Sequence, residues 1–358
     1  MLAYAVRRLL LLVPTLLLIL AVNFLLVQLA PGGPIERLAA ELEGEAVEAT
    51  ARIGGGGGGT AAAEPGAYRG ARGLDPEIIR ELEREFGFDR PWPERFARMV
   101  AGYLAFDLGR SFFRDRPVTE LVLQKLPVSV TLGLWSTLLV YAVSVPLGMA
   151  KAVRDGSAFD AWTSGLVVVG YAVPGFMVAV LLVVLFAGGS YLSWFPLRGL
   201  TSEGWEEMSL PGRVLDYLWH AALPVLSLVL GGFAGLTMLT KNSFLEELRK
   251  PYVTTARAKG LAPRRVLYGH VFRNAMLVVL ASFPQALVGV LFTGALMVEV
   301  IFSLDGIGLL GFEAVVNRDY PVIFGTLYLL SLLGLLMNLA GDLVAAWSDP
   351  RIDFGARA

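Results

Sequence analysis

Six apolar runs decide what this chain can fold into. Leu9–Ala30, Val128–Ala150, Gly165–Ala187, Ala221–Thr240, Ala275–Phe302 and Val322–Trp347 are each near or above the ~20 residues a helix needs to cross a bilayer. Aromatic residues gather at their ends, as Tyr191, Trp194, Phe195, Trp219 and Trp347, where amphipathic rings suit the membrane–water boundary. Hydrophobic residues make up 55% of the 358, an apolar share above the usual soluble range. The expectation is an all-α polytopic membrane protein with six transmembrane helices.

The first run follows a short basic start, Tyr4–Arg8. A cleaved signal peptide is the competing reading, but its apolar core is normally only ~7–15 residues with small residues before the cut. Here the run is longer, and Gln28 stands where a cut after Ala30 would want a small side chain. Residues 1–30 therefore read as a retained first helix.

Residues 31–127 are polar yet partly patterned. Asp75-Pro76 suits a helix start, Ile78, Ile79, Leu82 and Phe86 share one helical face, and Gly87 suits its end. After Pro91 the pattern repeats through Trp92, Phe96, Met99, Val100, Tyr103 and Leu104. Gly54–Gly59 invites comparison with a phosphate loop, but no Gly-Lys-Ser/Thr follows, so it reads as a flexible linker. Residues 128–347 hold the other five spans, and 348–358 form a tail.

Basic residues in short loops set the orientation. With the amino terminus inside, the inner segments hold 14 Lys and Arg and the two short outer loops hold only Arg198, Arg213 and Arg318. Both termini are thus expected in the cytoplasm and residues 31–127 outside.

Several chemistries are excluded. The chain has no cysteine, so it offers no disulfide or thiolate site, and its two histidines, His220 and His270, cannot make a histidine-rich metal centre. No basic surface is interleaved with stacking aromatics, which argues against nucleic acid. There is no Walker lysine and no His-Glu-x-x-His pair. Within the spans the main ionisable residues are Glu299 and Asp342, with Asn23, Gln285 and Asn338 as polar company. An intramembrane acid can carry protons, but these two lie near helix ends and suit packing or interface roles. Pro146, Pro174, Pro224 and Pro284 fall within or near spans, as static kinks or as hinges. Gly231-Gly232-Phe233-Ala234-Gly235 permits close helix approach.

One inner segment carries more information than its charge. Lys241–Asn274 holds eight basic residues, among them Arg249, Lys250, Arg264, Arg265 and Arg273, against Glu246 and Glu247. Anchoring on anionic lipid would explain the charge. It would not explain the pattern: Tyr252–Lys259 can form a short helix of small residues, Gly260 can end it in the left-handed conformation, and Pro263 can open a second helix over Arg264–Asn274. Ala262 is a poor cap for that second helix. A small-residue helix flanked by Arg257 and Lys259 suits a groove on another protein.

The run Tyr252-Val253-Thr254-Thr255-Ala256-Arg257-Ala258-Lys259-Gly260, continuing to His270-Val271-Phe272-Arg273-Asn274-Ala275, resembles the EAA loop of ABC-importer permeases, and more narrowly the dipeptide/oligopeptide branch. Arg7-Arg8, Ala30-Pro31-Gly32, Gly87-Phe88-Asp89-Arg90-Pro91, Asp107-Leu108-Gly109-Arg110-Ser111, Leu126-Pro127, Glu299-Val300-Ile301-Phe302, Gly306-Ile307-Gly308 and Asp349-Pro350-Arg351 match that branch too. The long outer insertion, Tyr171-Ala172-Val173-Pro174, Phe186-Ala187-Gly188-Gly189-Ser190-Tyr191 and Leu239-Thr240-Lys241-Asn242-Ser243-Phe244-Leu245 look like its members for oligopeptides and microcin C. Thr254 stands where the general EAA pattern has glutamate, as is usual in the peptide branch, and Gly54–Gly59 has no counterpart in it.

The resemblance implies a type I ABC-importer permease fold with a partly helical periplasmic insertion. It implies a bacterial inner-membrane importer of five parts. This chain would pair with a second, homologous permease, above cytoplasmic ATPases that bind ATP and Mg, and would receive solute from a periplasmic binding protein. Thr254, Thr255, Ala256, Arg257, Ala258, Lys259 and Gly260 would be the coupling helix seated in an ATPase cleft, and the chain would have no catalytic, cofactor or metal site of its own. The alternatives are a permease of the same family for another solute such as nickel, and a proton-coupled secondary transporter.

Overall fold

The computed structural model describes residues 2–29, 90–187, 191–289 and 296–348. The expected helix near Asp75-Pro76 and the glycine run Gly54–Gly59 lie outside them. Among the described residues there are twelve α-helices and no strand, only an isolated bridge between Arg110 and Pro117. They are α1 (Leu2–Leu29), α2 (Trp92–Leu104), α3 (Val118–Val153), α4 (Ala158–Ala172), α5 (Gly175–Phe186), α6 (Leu210–Leu248), α7 (Pro251–Ala258), α8 (Pro263–Val266), α9 (Phe272–Gly289), α10 (Leu296–Ile301), α11 (Ile307–Asn317) and α12 (Tyr320–Ser348).

Among the described residues, five helical stretches are long and apolar enough to cross a membrane: Val6–Val27, Val118–Val153, Leu210–Leu248, Pro263–Gly289 and Tyr320–Leu343. The sixth expected span is not one rod. The run Gly165–Ala187 belongs to α4 and α5, which meet at 90°. Pro174 explains the break. It has no N–H to give α4 another hydrogen bond, and it pushes the preceding residue out of the helical region. Val173 accordingly sits at φ −88° and ψ 120°. Pro14, Pro224 and Pro284, by contrast, lie inside helices that continue past them.

Two further boundaries differ from the sequence expectation. The helix expected from Ala275 already begins at Pro263 and is described to Gly289; Leu296–Ile301 is helical as well, and residues 290–295 lie outside the described residues. The basic segment is also shorter than its charges suggest. Lys241–Leu248 forms the last two turns of α6, since the apolar periodicity of that helix runs on through Phe244.

The chain divides into two compact units. The first comprises Met1–Arg8, Val128–Asp305 and Leu333–Ala358. Here α6 is the packing centre, in contact with α4, α5, α9 and α10. Small residues set how close these helices come. A Cβ on Gly148 would lie 2.6 Å from the Thr240 Cβ and 2.7 Å from the Thr237 carbonyl oxygen, so α3 and α6 touch backbone to backbone. Gly231 approaches Gly175 in the same manner, and a Cβ on Gly341 would stand 3.0 Å from the Ala281 carbonyl oxygen.

The second unit comprises Leu9–Pro127 and Gly306–Leu332. Its α2 has Pro93 and Glu94 in the first turn, which suits a helix start, and buries Tyr103. Aromatic rings hold it: Phe24 lies 5.3 Å from Phe96 and 5.8 Å from Phe324, and Tyr103 5.1 Å from Tyr328. The Asp107–Ser111 segment is a turn, with Gly109 at φ +77° and its N–H donating to the Asp107 carboxylate at 3.0 Å. Ser111 then donates to the buried Asp319 carboxylate at 2.5 Å, and Arg114 pairs with Glu313.

Candidate functional site

The basic segment folds as a helix, a glycine stop and a second helix. Pro251 fills the first turn of α7 without loss of a hydrogen bond. Gly260 stands at φ +79°, donating its N–H to the Arg257 carbonyl at 2.9 Å, as a left-handed C-terminal stop requires. Ala262 makes no side-chain cap at the start of α8, and a π-turn at Leu267–Val271 joins α8 to α9. The second helix thus begins at Pro263 as expected but carries a local widening.

Each face of α7 has a separate use. Val253 and Ala256 are buried against Phe244, Val266, Val271 and Ala275 of the same chain. Thr254, Thr255, Arg257, Ala258, Lys259 and Gly260 are exposed. Of the seven residues singled out from sequence, six are therefore available to a partner, and Ala256 is the one that seats the helix on its own permease.

A polar clamp fixes the start of the helix. Tyr252 donates its hydroxyl to Glu247 at 2.7 Å, Asn274 donates to the Tyr252 oxygen at 3.3 Å, and Lys250 pairs with Glu247. The hydrogen bond to Glu247 raises the Lys250 ammonium above its ordinary value, so it stays charged at neutral pH. Burial, helped by the bond to Glu247, raises the Tyr252 phenol, which stays a donor. Residues from α6, α7 and α9 are thereby tied into one block.

Close by in sequence lies a cluster that charge counting alone does not reveal. Lys151, at the end of α3, is fully buried, and its ammonium bonds the Asp160 carbonyl at 3.0 Å, Thr163 at 2.9 Å and Ser164 at 2.7 Å. The Asp160 carboxylate pairs with Lys151 at 3.0 Å and Lys241 at 2.7 Å, and Lys241 also reaches Asp155 at 2.9 Å. Ser157 caps the start of α4 by accepting from the Asp160 N–H at 3.3 Å. Lys151 and Lys241 therefore join α3, α4 and α6 rather than facing solvent or lipid headgroups.

The intramembrane acids are also accounted for. Glu299 is fully buried and accepts from Ser129 at 3.3 Å, and Asp342 pairs with Arg8. No group of three or more His, Asp or Glu able to hold a metal occurs among the described residues.

Helices long enough to cross a membrane, and in the first unit a loop of helix, glycine stop and second helix with exposed small residues, define a multi-span membrane protein. The model of one family, the binding-protein-dependent transport system inner membrane component, matches residues 144–354. The chain belongs to this family. It is 53% identical to the peptidoglycan transport system permease protein YejB of Agrobacterium fabrum over 99% of each chain. It is also 53% identical to the inner membrane ABC transporter permease protein YejB of Escherichia coli O157:H7, over 99% of this chain and 100% of that one. The dipeptide transport system permease protein DppB of Escherichia coli K12 is 31% identical over 98% and 99% of the two chains. Among solved structures, an inward-facing MetNI methionine ABC transporter matches with TM-score 0.50 at 16% identity, covering 64% of this chain and 97% of that one. That likeness bears on the fold alone.

Proposed function

We propose that this chain is a permease subunit of an ATP-driven importer for peptides or peptide-like compounds, of the oligopeptide and microcin C kind, and that α7 is its coupling helix. The peptide reading is supported by full-length likeness to permeases named for peptidoglycan and dipeptide transport. The coupling reading is carried by one observation: six exposed residues of the 254–260 segment lie on α7 and the glycine stop that follows it, clamped to α6 and α9. A force applied to that face reaches two crossing helices at once.

In this reading a cytoplasmic ATPase supplies ATP and Mg chemistry, and its closure moves α7 and with it α6 and α9. A second, homologous permease completes the pathway, and a periplasmic binding protein delivers the solute. Both termini and residues 249–262 face the cytoplasm, in keeping with the excess of inner basic residues.

Uptake of radiolabelled tri-alanine into proteoliposomes tests this. The complete system, with both permeases, ATPases and binding protein, should take up peptide only with ATP inside. Uptake by this chain alone, driven by a proton gradient, would overturn the reading in favour of secondary transport.

A further inference from the structure

The first turns of α6 carry a carboxylate that the coupling role leaves unused. Asp216 lines a cavity of about 620 Å³ in the first unit, whose other walls include Trp194, Phe195, Leu215 and Trp219. Its side chain is 14% exposed and held from one direction. Ser202 donates its N–H to one carboxylate oxygen at 2.9 Å and its hydroxyl to the other at 2.6 Å.

His220 Nδ1 lies 2.9 Å from the Asp216 carbonyl and 3.6 Å from its carboxylate. A histidine is a counter-charge only when both ring nitrogens carry protons. Among the described residues, no lysine or arginine pairs with this carboxylate. A carboxylate offers about four acceptor sites, of which Ser202 fills two. An anion so far removed from water is costly unless a cation answers it. The walls suit a cation as well: Phe195 and Trp219 stack at 4.9 Å, and aromatic faces attract positive charge.

Depth and neighbours identify the cation's source. At 1.5 Å per residue, Asp216 lies about 8 Å beyond Ala221, where the apolar run of α6 begins. The polar layer on each side of a bilayer core is ~5–8 Å thick, so Asp216 stands at headgroup level. Leu215 and Trp219 of the pocket wall are exposed, and Leu226 and Leu230 continue the same exposed face down the span. An apolar stripe below a headgroup-level anion matches a lipid, with its chains on the stripe and its head in the pocket.

We propose that this pocket holds the primary ammonium of a phosphatidylethanolamine headgroup, in the leaflet that the proposed orientation makes the outer one. A primary ammonium brings a charge and three N–H donors for the open acceptor sites of Asp216, whereas a trimethylammonium brings the charge alone. Occupancy ties the loop at Ser202 and the start of α6 to the bilayer, whichever solute the importer carries.

Native mass spectrometry of the assembled importer, titrated with dioleoyl phosphatidylethanolamine, phosphatidylcholine or phosphatidylglycerol, tests this. The ethanolamine lipid should be retained roughly tenfold more tightly than either of the others, the size of one charge-assisted hydrogen bond. Asp216→Asn should remove that preference, and Glu203→Gln, an exposed acid of the same loop, should leave it intact. The comparison of lipids on the unaltered importer needs no variant, so it stands even where Asp216→Asn lowers the melting point. Equal retention of the three lipids would overturn the proposal, as would a preference that survives Asp216→Asn. Displacement of the lipid by tri-alanine but not by N-acetyl-tri-alanine would also overturn it, by assigning the pocket to a solute ammonium instead.

Discussion

Asp160 is the residue on which most depends. Its carboxylate serves two lysines at once, one of them fully buried. Asp160→Asn would leave the buried Lys151 without its counter-charge and Lys241 with Asp155 alone, and an uncompensated buried charge typically costs about 3–5 kcal/mol. Lys151→Met leaves Asp160 still paired with Lys241 at 2.7 Å and replaces the buried amine by an apolar chain of similar length, so its cost should be well under half as large. Thermal unfolding of the detergent-solubilised complex reads the difference, and equal losses would show that the pairs do not share Asp160 as described. Asp319 gives a second test at this scale. Burial raises its carboxyl above the ordinary value, against hydrogen bonds from Ser111 and the Phe112 N–H that lower it. The folded protein therefore holds that proton more tightly than the unfolded chain does. The resulting stabilisation is full below the unfolded value and is lost as pH rises through the folded one. Between about pH 4 and pH 7 the melting point of the unaltered protein should fall relative to Asp319→Asn. A gap moving the other way would mean the buried site favours the charged form.

At the scale of elements, α7 separates two kinds of damage that look alike in a transport assay. Ala256 packs against Phe244 and Val266, so Ala256→Phe should unseat the helix and cost about 1–3 kcal/mol of stability by overpacking, read as a lower melting point. Arg257→Glu with Lys259→Glu changes only exposed charge and should leave stability within about 0.5 kcal/mol while abolishing co-purification of the ATPase. If the charge-reversed pair still holds its ATPase and imports normally, α7 is not the docking element. This division into faces was only half legible in the sequence. The helix, the Gly260 stop and the Pro263 start are local signals, and each was readable from residue type. Which side of α7 faces its own protein depends on Phe244, Val266 and Ala275, contributed by three other helical segments. The α4–α5 break illustrates the same limit, because Pro146, Pro174, Pro224 and Pro284 look alike in an apolar run. Only Pro174 ends a helix and starts another at 90°, whereas α3, α6 and α9 continue past theirs. Lys151 was unreadable for a related reason: nine residues separate it from Asp160, and only the turn between α3 and α4 brings them together.

For the whole molecule, the distribution of charge and the placement of the helices constrain each other. Lys151 and Lys241 count toward the positive-inside excess, yet both are consumed by an ion cluster within the fold. Setting them aside still leaves the inner segments several times richer in Lys and Arg than the outer loops, so the proposed orientation does not depend on them. It also agrees with the pairing of Arg8 with Asp342, which places the start of α1 and the end of α12 on one side. The same orientation puts the exposed segment around Glu203 outside and that around Arg264 inside. With no native cysteine, single substitutions report this directly. In spheroplasts, Glu203→Cys should react with a membrane-impermeant maleimide at once, and Arg264→Cys only after the membrane is permeabilised. Because both positions are exposed and lie outside the buried clusters, neither change should disturb folding. Labelling in the reverse pattern would put the basic loop outside, away from any ATPase, and the coupling role of α7 would fall with it.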